Sequence, residues 1–312
     1  VESRTFRQQL VMDITQIIAH LGEEDKAFWQ RAISPPIYQT SNFKFETVDD
    51  YRRAMRNEKD LSIYTRGNNP TVRLLETKLA ALQGTEDALV FASGSAAIAA
   101  AVFYAVRSGD HVICVKNVYS WTDKLLNNTL VKFGVTTTMV DGRDLNEIKA
   151  AIRPNTTLLF LETPNSMKFE LQDLAGAVSW AKSEGLMTIC DNSYGSPLNT
   201  IPAEVGVDII CHSATKFVGG HSDVVCGLLC ASAEMTREIF NEQYMTFGAS
   251  VSPHAAWLLI RSLRTMPMRI AHSAKTGRAV VSFLESHPKV SRVHWPFSTS
   301  HPQHHMVKDQ LS

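Results

Sequence analysis

Along most of the chain, short runs of apolar residues alternate with longer segments in which apolar and polar residues recur at helical spacing. Short apolar runs bounded by polar turns predict strands covered on both faces, and their alternation with helices predicts βα units around a parallel sheet. The pattern predicts strands over 88–91, 111–115, 136–140, 157–161, 186–190, 208–211 and 224–230. Helical composition and period occupy 95–107, 119–133, 145–151 and 173–184. Beyond residue 233 the pattern is helical over 235–246, 253–266 and 270–286, and a last short strand is expected over 290–294. Residues before 60 are irregular, with Pro35-Pro36 and a polar stretch from Asn57 to Asp60, and read as an arm that packs on something else. The expected organisation is an N-terminal arm (1–60), a large α/β domain (61–250) and the start of a smaller C-terminal domain (251–312) that the chain leaves incomplete.

Composition narrows the classes. With 312 residues, 44% of them hydrophobic and 20% charged, the chain can bury a sizeable core and is not a disordered segment. Lys plus Arg and Asp plus Glu each number 31, so the net charge is zero, and no long single-sign run invites nucleic acid or an anionic bilayer. Apolar runs such as 96–106 fall short of the roughly 20 residues a membrane span requires, and no basic-then-hydrophobic leader opens the chain. The expectation is a cytoplasmic protein. Cys114, Cys190, Cys211, Cys226 and Cys230 lie mostly in apolar runs, as reduced core thiols do. Cys226 and Cys230 have three residues between them rather than two, and His301, His304 and His305 lack neighbouring cysteine or carboxylate, so no metal site is expected.

In an open parallel sheet, ligands bind beyond the carboxyl ends of the strands, so the residues just after each apolar run carry the chemistry. After 88–91 comes Ala92-Ser93-Gly94-Ser95 and an alanine-rich helix, a small-residue turn whose amides suit a phosphate. It has neither G-x-G-x-x-G spacing nor a Gly-Lys-Ser/Thr, which weighs against NAD and ATP. After 186–190 comes Asp191, a carboxylate closing a hydrophobic strand, which could equally be a turn aspartate. After 208–211 comes His212-Ser213-Ala214-Thr215-Lys216-Phe217-Val218-Gly219-Gly220, where one lysine sits among hydroxyls, an aromatic and paired glycines. Desolvation there would lower its proton affinity from the ordinary lysine value of about 10.4 and make it a Schiff-base nucleophile. A Schiff-base lysine, an aspartate for a pyridine nitrogen and a Ser/Gly turn for a phosphate together match what pyridoxal phosphate requires.

The Ser213–Asp223 segment, Asp191-Asn192, and Tyr64-Thr65-Arg66-Gly67-Asn68-Asn69-Pro70-Thr71 resemble the Cys/Met-metabolism family of pyridoxal phosphate enzymes, which includes cystathionine lyases, cystathionine γ-synthase and methionine γ-lyase. The resemblance extends from about Ser34 to about His304. It implies a fold type I, transferase-like α/β architecture, with a mostly parallel sheet flanked by helices and residues 61–250 as the cofactor domain. It implies that Lys216 holds the cofactor and returns as the proton-transfer base, and that Asp191 keeps the pyridine nitrogen protonated. Ser93, Gly94 and Ser95 then form the phosphate turn, with Ser213 and Thr215 completing the phosphate cup. Tyr119 stacks on the ring and assists proton transfer. Tyr64 and Arg66 reach the phosphate of a neighbouring subunit, which implies a homodimer at least and commonly a tetramer. In the family, methionine is frequent at the Ser95 position, paired glycines follow the stacking tyrosine where Tyr119-Ser120-Trp121-Thr122 stand here, and an asparagine followed by proline occurs in the loop where this chain has Glu162-Thr163-Pro164-Asn165-Ser166, with Ser166 preceding Met167. Family members also continue past the position of Ser312, into a stretch carrying the arginine for the substrate α-carboxylate, and no residue here takes that role.

The expected activity is carbon–sulfur elimination on a small sulfur amino acid, giving a thiol, ammonia and a keto acid. A replacement reaction on an activated homoserine ester would use the same residues. Of a different class is a protein that binds the cofactor without turnover, a catalytically impaired scaffold. A cofactor-free Schiff-base lyase would leave Asp191 and the Ser93–Ser95 turn without a task, and a serine hydrolase lacks its G-x-S-x-G elbow.

Overall fold

The computed structural model describes residues 13–24 and 29–311. Residues 1–12 and 25–28 of the expected arm lie outside the described residues. Helices α1 (Ile14–Ala19), α2 (Val48–Met55) and α3 (Pro70–Gln83) precede seven strands: β1 (Asp87–Phe91), β2 (His111–Val115), β3 (Thr136–Val140), β4 (Thr156–Glu162), β5 (Met187–Asp191), β6 (Ile209–Ser213) and β7 (Gly227–Ala231). Helices α4 (Gly94–Ala105), α5 (Ser120–Lys124), α6 (Leu145–Ala150), α7 (Leu174–Ser183) and α8 (Ser196–Asn199) lie between strands, while α9 (Ala233–Ile239), α10 (Met245–Phe247), α11 (Pro253–Leu263) and α12 (Met266–Ser286) follow them. The strands hydrogen-bond in the order β1-β7-β6-β5-β4-β2-β3. Strands β2 to β6 pair in parallel, and β1 runs antiparallel to β7, with Asp87 opposite Ala231 and Phe91 opposite Gly227. This is the mostly parallel α/β sheet that the alternating pattern predicts.

Two expectations are corrected. The strand expected over 290–294 does not form, because a strand needs a neighbour's ladder and none of the described strands pairs with this segment. The run expected as a strand from residue 224 enters the ladder only at Gly227, since the Cys226 amide and carbonyl both bond to Thr215. The expected helix over 119–133 is present but changes gauge, passing from α5 through a π turn (Leu125–Thr129) to a 3-10 turn (Leu130–Phe133).

The described residues divide into two compact units, one running to residue 104 and over 212–264, the other over 105–211 and from 265 onward. In the first, the Asn-Pro-Thr sequence opens α3 for local reasons. Asn69 Oδ1 accepts from the Thr71 amide, Pro70 occupies the first helical position, and Gly84 ends the helix at φ 66°. The same residues tie down the arm: Asn69 Nδ2 donates to the Tyr38 carbonyl (2.9 Å) and Thr71 Oγ1 to that of Pro36 (3.1 Å). Beneath them lies a buried ion cluster. Asp87 pairs with Lys59 and, at 2.7 Å, with Arg73, and it accepts from Thr236 Oγ1 at 2.9 Å. Arg73 also reaches Glu76, whose other oxygen accepts from the Val90 amide. Burial raises the Asp87 carboxyl, but Arg73 and Lys59 outweigh it and hold it below the usual aspartate value.

In the second unit, residues 112–115 of β2 and 158–161 of β4 are fully buried, as a central parallel sheet requires. Leu174, Ala177, Val178 and Ala181 are the buried face of α7, which packs on β5. The polar residue that opens β2 is satisfied within the sheet, where the His111 ring bonds the Thr156 and Thr138 hydroxyls at 2.8 Å each. All five cysteines are buried and unpaired with one another. Burial pushes up the thiols of Cys114, Cys190, Cys226 and Cys230, so these behave as inert core residues. No helix among the described residues is long and apolar enough to cross a membrane.

Candidate active site

Within the first unit, β1 delivers the chain into the Ser93-Gly94-Ser95 turn. Ser93 Oγ accepts from the Ala96 amide at 3.2 Å and so caps α4. Gly94 and Ser95 contribute the first two amides of that helix, which have no intrahelical acceptor and face the positive end of the dipole. The turn is pressed against the lysine segment. A Cβ on Gly94 would stand 3.0 Å from both Cα and Cβ of Ser213, and a Cβ on Gly227 would overlap the Ser93 carbonyl oxygen at 2.1 Å. Only glycine allows this approach, which sets the Ser213 side chain beside two helix N-terminal amides. A phosphate suits that donor set.

Thr215, expected at the same cup, gives its hydroxyl hydrogen to the Cys226 carbonyl and accepts from the Cys226 amide, leaving only lone-pair capacity unused. Its role is to pin the lysine loop to the entrance of β7. Lys216 follows β6 in a turn closed by its amide to the Ser213 carbonyl (3.1 Å) and by the Gly220 amide to its own carbonyl (2.7 Å). Its side chain is exposed rather than buried, which corrects the desolvated setting the sequence suggests. Tyr64 and Arg66 are both exposed, with the Arg66 guanidinium 5.5 Å from the Tyr64 ring centre.

Just before the lysine loop lies His212, 2% exposed, with Nε2 lacking any partner among the described residues. Burial alone pulls its pKa down to about 3, against about 6.5 unfolded. A depressed folded value means that the unfolded chain binds the extra proton between these limits. The neutral ring therefore contributes stability in full above about pH 6.5 and loses it as pH falls toward about 3. In urea unfolding at pH 7 to 4, the wild type should lose stability more steeply than His212→Leu, by up to about 1.4 kcal/mol per pH unit. Equal slopes would mean that the ring is solvated in the native state.

In the second unit, Asp191 is the last residue of β5 and only 5% exposed. Its Oδ1 accepts from the Ser193 amide at 2.9 Å, and burial raises its pKa. In register it lies opposite Cys211, two residues before Ser213 on the same strand. Asn192 donates from its amide to the Cys211 carbonyl and from Nδ2 to the Thr200 carbonyl, both at 2.8 Å, so the chain leaves the strand in a fixed direction. Tyr119 is the N-cap residue of α5 and 41% exposed. Trp121, in the position of the family's glycines, is 57% exposed, with Lys124 Nζ 4.5 Å from its ring centre.

One site residue escaped the sequence reading. Glu162, 2% exposed, ends β4 and pairs in register with Asp191. Burial and then the Asp191 charge push its pKa up to about 8. It carries the same sequence signal as Asp191, a carboxylate closing an apolar strand. Ser166, in that loop, is buried with its amide 2.6 Å from Glu162 Oε1, and Met167 beside it is 86% exposed at φ 72°.

A family model described as Cys/Met metabolism PLP-dependent enzyme matches residues 15–312. The chain is 38% identical over 296 residues to L-methionine gamma-lyase of Porphyromonas gingivalis, covering 94% of this chain and 73% of that protein. It is 36% identical over 292 residues to a probable cystathionine gamma-synthase of Herpetosiphon aurantiacus, covering 94% and 88% of the two. Among solved structures, cystathionine gamma-lyase from Lactobacillus plantarum, complexed with L-serine, superposes with a TM-score of 0.89 at 33% identity, over 96% of this chain and 76% of that one.

Proposed function

Since the chain belongs to the Cys/Met-metabolism family of pyridoxal phosphate-dependent enzymes, we propose that it is a carbon–sulfur lyase that releases a thiol, ammonia and a keto acid from a small sulfur amino acid, with Lys216 and Asp191 at the centre of its chemistry. The observation that carries this reading is the buried Asp191 carboxylate, in register with the strand that runs on into Ser213, Thr215 and Lys216. The donors fit the group: two helix amides and a serine hydroxyl suit its phosphate, a buried carboxylate suits its ring nitrogen, and an exposed primary amine suits its aldehyde.

Pyridoxal phosphate supplies an electron sink for the carbanion at the substrate Cα. Gly94 and Ser95 amides, with the Ser93 and Ser213 hydroxyls, would hold the phosphate dianion, and Thr215 keeps the lysine loop against them. The Asp191 carboxylate would accept a hydrogen bond from a protonated ring nitrogen, a charge-assisted bond that burial strengthens. Lys216 Nζ would hold the group through its aldehyde and, as a free amine, would take the proton from the substrate Cα and return it further along the chain. Tyr119 would cover the ring face and assist that transfer. The thiol leaves from Cβ or Cγ, and one water is consumed in releasing ammonia. Replacement on an activated homoserine ester shares every residue and is the alternative reaction, in keeping with the likeness to a probable cystathionine gamma-synthase.

The assembly in this reading is a homo-oligomer, a dimer at least and a tetramer by family habit, in which exposed Tyr64 and Arg66 reach the neighbour's phosphate. The setting is cytoplasmic. The organisation is an arm to residue 60, a cofactor domain over 61–250 and the beginning of a small domain over 251–312.

The protein mixed with pyridoxal phosphate should turn yellow, and borohydride reduction followed by peptide mapping should find the pyridoxyl group on Lys216. Incubation with methionine, cystathionine and cysteine should release keto acid from at least one of them. A yellow, Lys216-labelled protein that releases no keto acid and transforms no homoserine ester would favour the scaffold reading. A protein that takes up no cofactor would overturn the assignment.

A further inference from the structure

Glu162 is not among the residues assigned to the cofactor above, yet its carboxyl is held at both ends. Oε2 accepts from the Tyr119 amide at 2.8 Å, and Oε1 accepts from the Ser166 amide at 2.6 Å. These two amides belong to separate loops, one leaving β2 and one leaving β4, 47 residues apart in the chain. Neither amide has a place in a strand ladder or within a helix, because Tyr119 is an N-cap residue and Ser166 sits in the loop after β4. The side chain that joins them is 2% exposed, so the bonds operate without competition from water. The same carboxylate lies opposite Asp191 in a parallel pair, and register partners in neighbouring strands project from the same face of the sheet.

We propose that Glu162 is a positioning residue of the cofactor site, a two-oxygen clamp that sets the Tyr119 ring platform and the Ser166 loop at fixed places beside Asp191. The proposal rests on the pyridoxal phosphate reading and deepens it. Chemically, the clamp needs two acceptor atoms at one side-chain end, which only a carboxyl supplies. Glutamine of the same size offers one oxygen and one NH2, and the NH2 would face an N–H donor with another donor. Tyr119 is thus aimed through its backbone rather than by packing around its half-open ring.

The test compares wild type with Glu162→Gln, both titrated with pyridoxal phosphate and followed by visible absorbance and by the circular dichroism of the bound cofactor band. The variant should bind the cofactor about tenfold more weakly, as expected for one lost hydrogen bond to a buried group. It should also lose much of the induced dichroism, because a ring platform that wanders no longer holds the chromophore in one asymmetric setting. A cofactor affinity and dichroic band equal to wild type would overturn the clamp while leaving the pyridoxal phosphate reading intact. Wild type that binds no cofactor would overturn that reading itself. Amide hydrogen exchange on the wild-type protein decides the matter if Glu162→Gln does not fold. The Tyr119 and Ser166 amides should be protected, and exchange as fast as that of open loop amides would remove the clamp.

Discussion

Replacing Lys216 with alanine should abolish borohydride-fixed pyridoxyl label and lower the rate of keto acid release by at least about a thousandfold. The size follows from two roles lost at once. A positioned acid–base group contributes on the order of 10² to 10⁴ in rate, and the covalent tether to the cofactor disappears with it. No neighbouring lysine stands in for it in the loop, because the sequence around it reads Ser213-Ala214-Thr215-Lys216-Phe217-Val218-Gly219-Gly220. The residue is exposed at a turn closed by backbone bonds to Ser213 and Gly220, so truncating its side chain removes no core packing. Unfolding midpoints of the apoprotein should therefore match wild type within about 0.5 kcal/mol. This separates lost chemistry from lost structure. Undiminished turnover in Lys216→Ala would end the Schiff-base assignment.

Asp87→Ala should destabilise the protein by about 3–5 kcal/mol, the largest stability effect expected from a single polar substitution in the chain. Asp87 sits between Lys59 and Arg73, and the side chains of Lys59 and Asp87 are 3% and 6% exposed. Without the carboxylate, the Lys59 ammonium is left buried and uncompensated, Arg73 keeps only Glu76, and the Thr236 hydroxyl loses an acceptor. Breaking one member of such a set costs far more than the set contributes relative to an apolar replacement. The double variant Lys59→Met/Asp87→Leu should consequently recover much of the loss. Denaturant midpoints of the three proteins at pH 7 test this, and a double variant no more stable than Asp87→Ala would show that the charges themselves hold the arm. Because the folded carboxyl lies below its ordinary value, its contribution is present above the unfolded aspartate pKa of about 3.9 and is lost as pH falls through the lower, folded one.

The strands were legible because each is a short apolar run between polar turns. β2 and β3 take the bounds the pattern predicts, while β5 and β6 begin one residue later than expected and run on to Asp191 and Ser213 as their last positions. Where the expectation failed, pairing was the missing information. Residues 290–294 have strand composition without a neighbouring ladder, and the Cys226 backbone is committed to Thr215. The exposure of Lys216 was equally invisible, since residue types around a loop say little about which side chains cover one another.

By itself, the sequence determined the α/β class and the family that the chain resembles, and it singled out the Ser93–Ser95 turn, Asp191 and Lys216 as candidates. Each of these is written in local order, as a run of apolar residues followed at once by a polar residue of a particular kind. Tertiary structure alone decided that Gly227 and Gly94 let the Ser93 turn lie against Ser213, that Thr215 serves as a backbone latch, and that Glu162 joins the Tyr119 and Ser166 amides beside Asp191. The physical reason is that hydrogen bonds and close approaches depend on which strands become neighbours. Glu162 and Asp191 are 29 residues apart in the chain and become adjacent only when β4 and β5 pair.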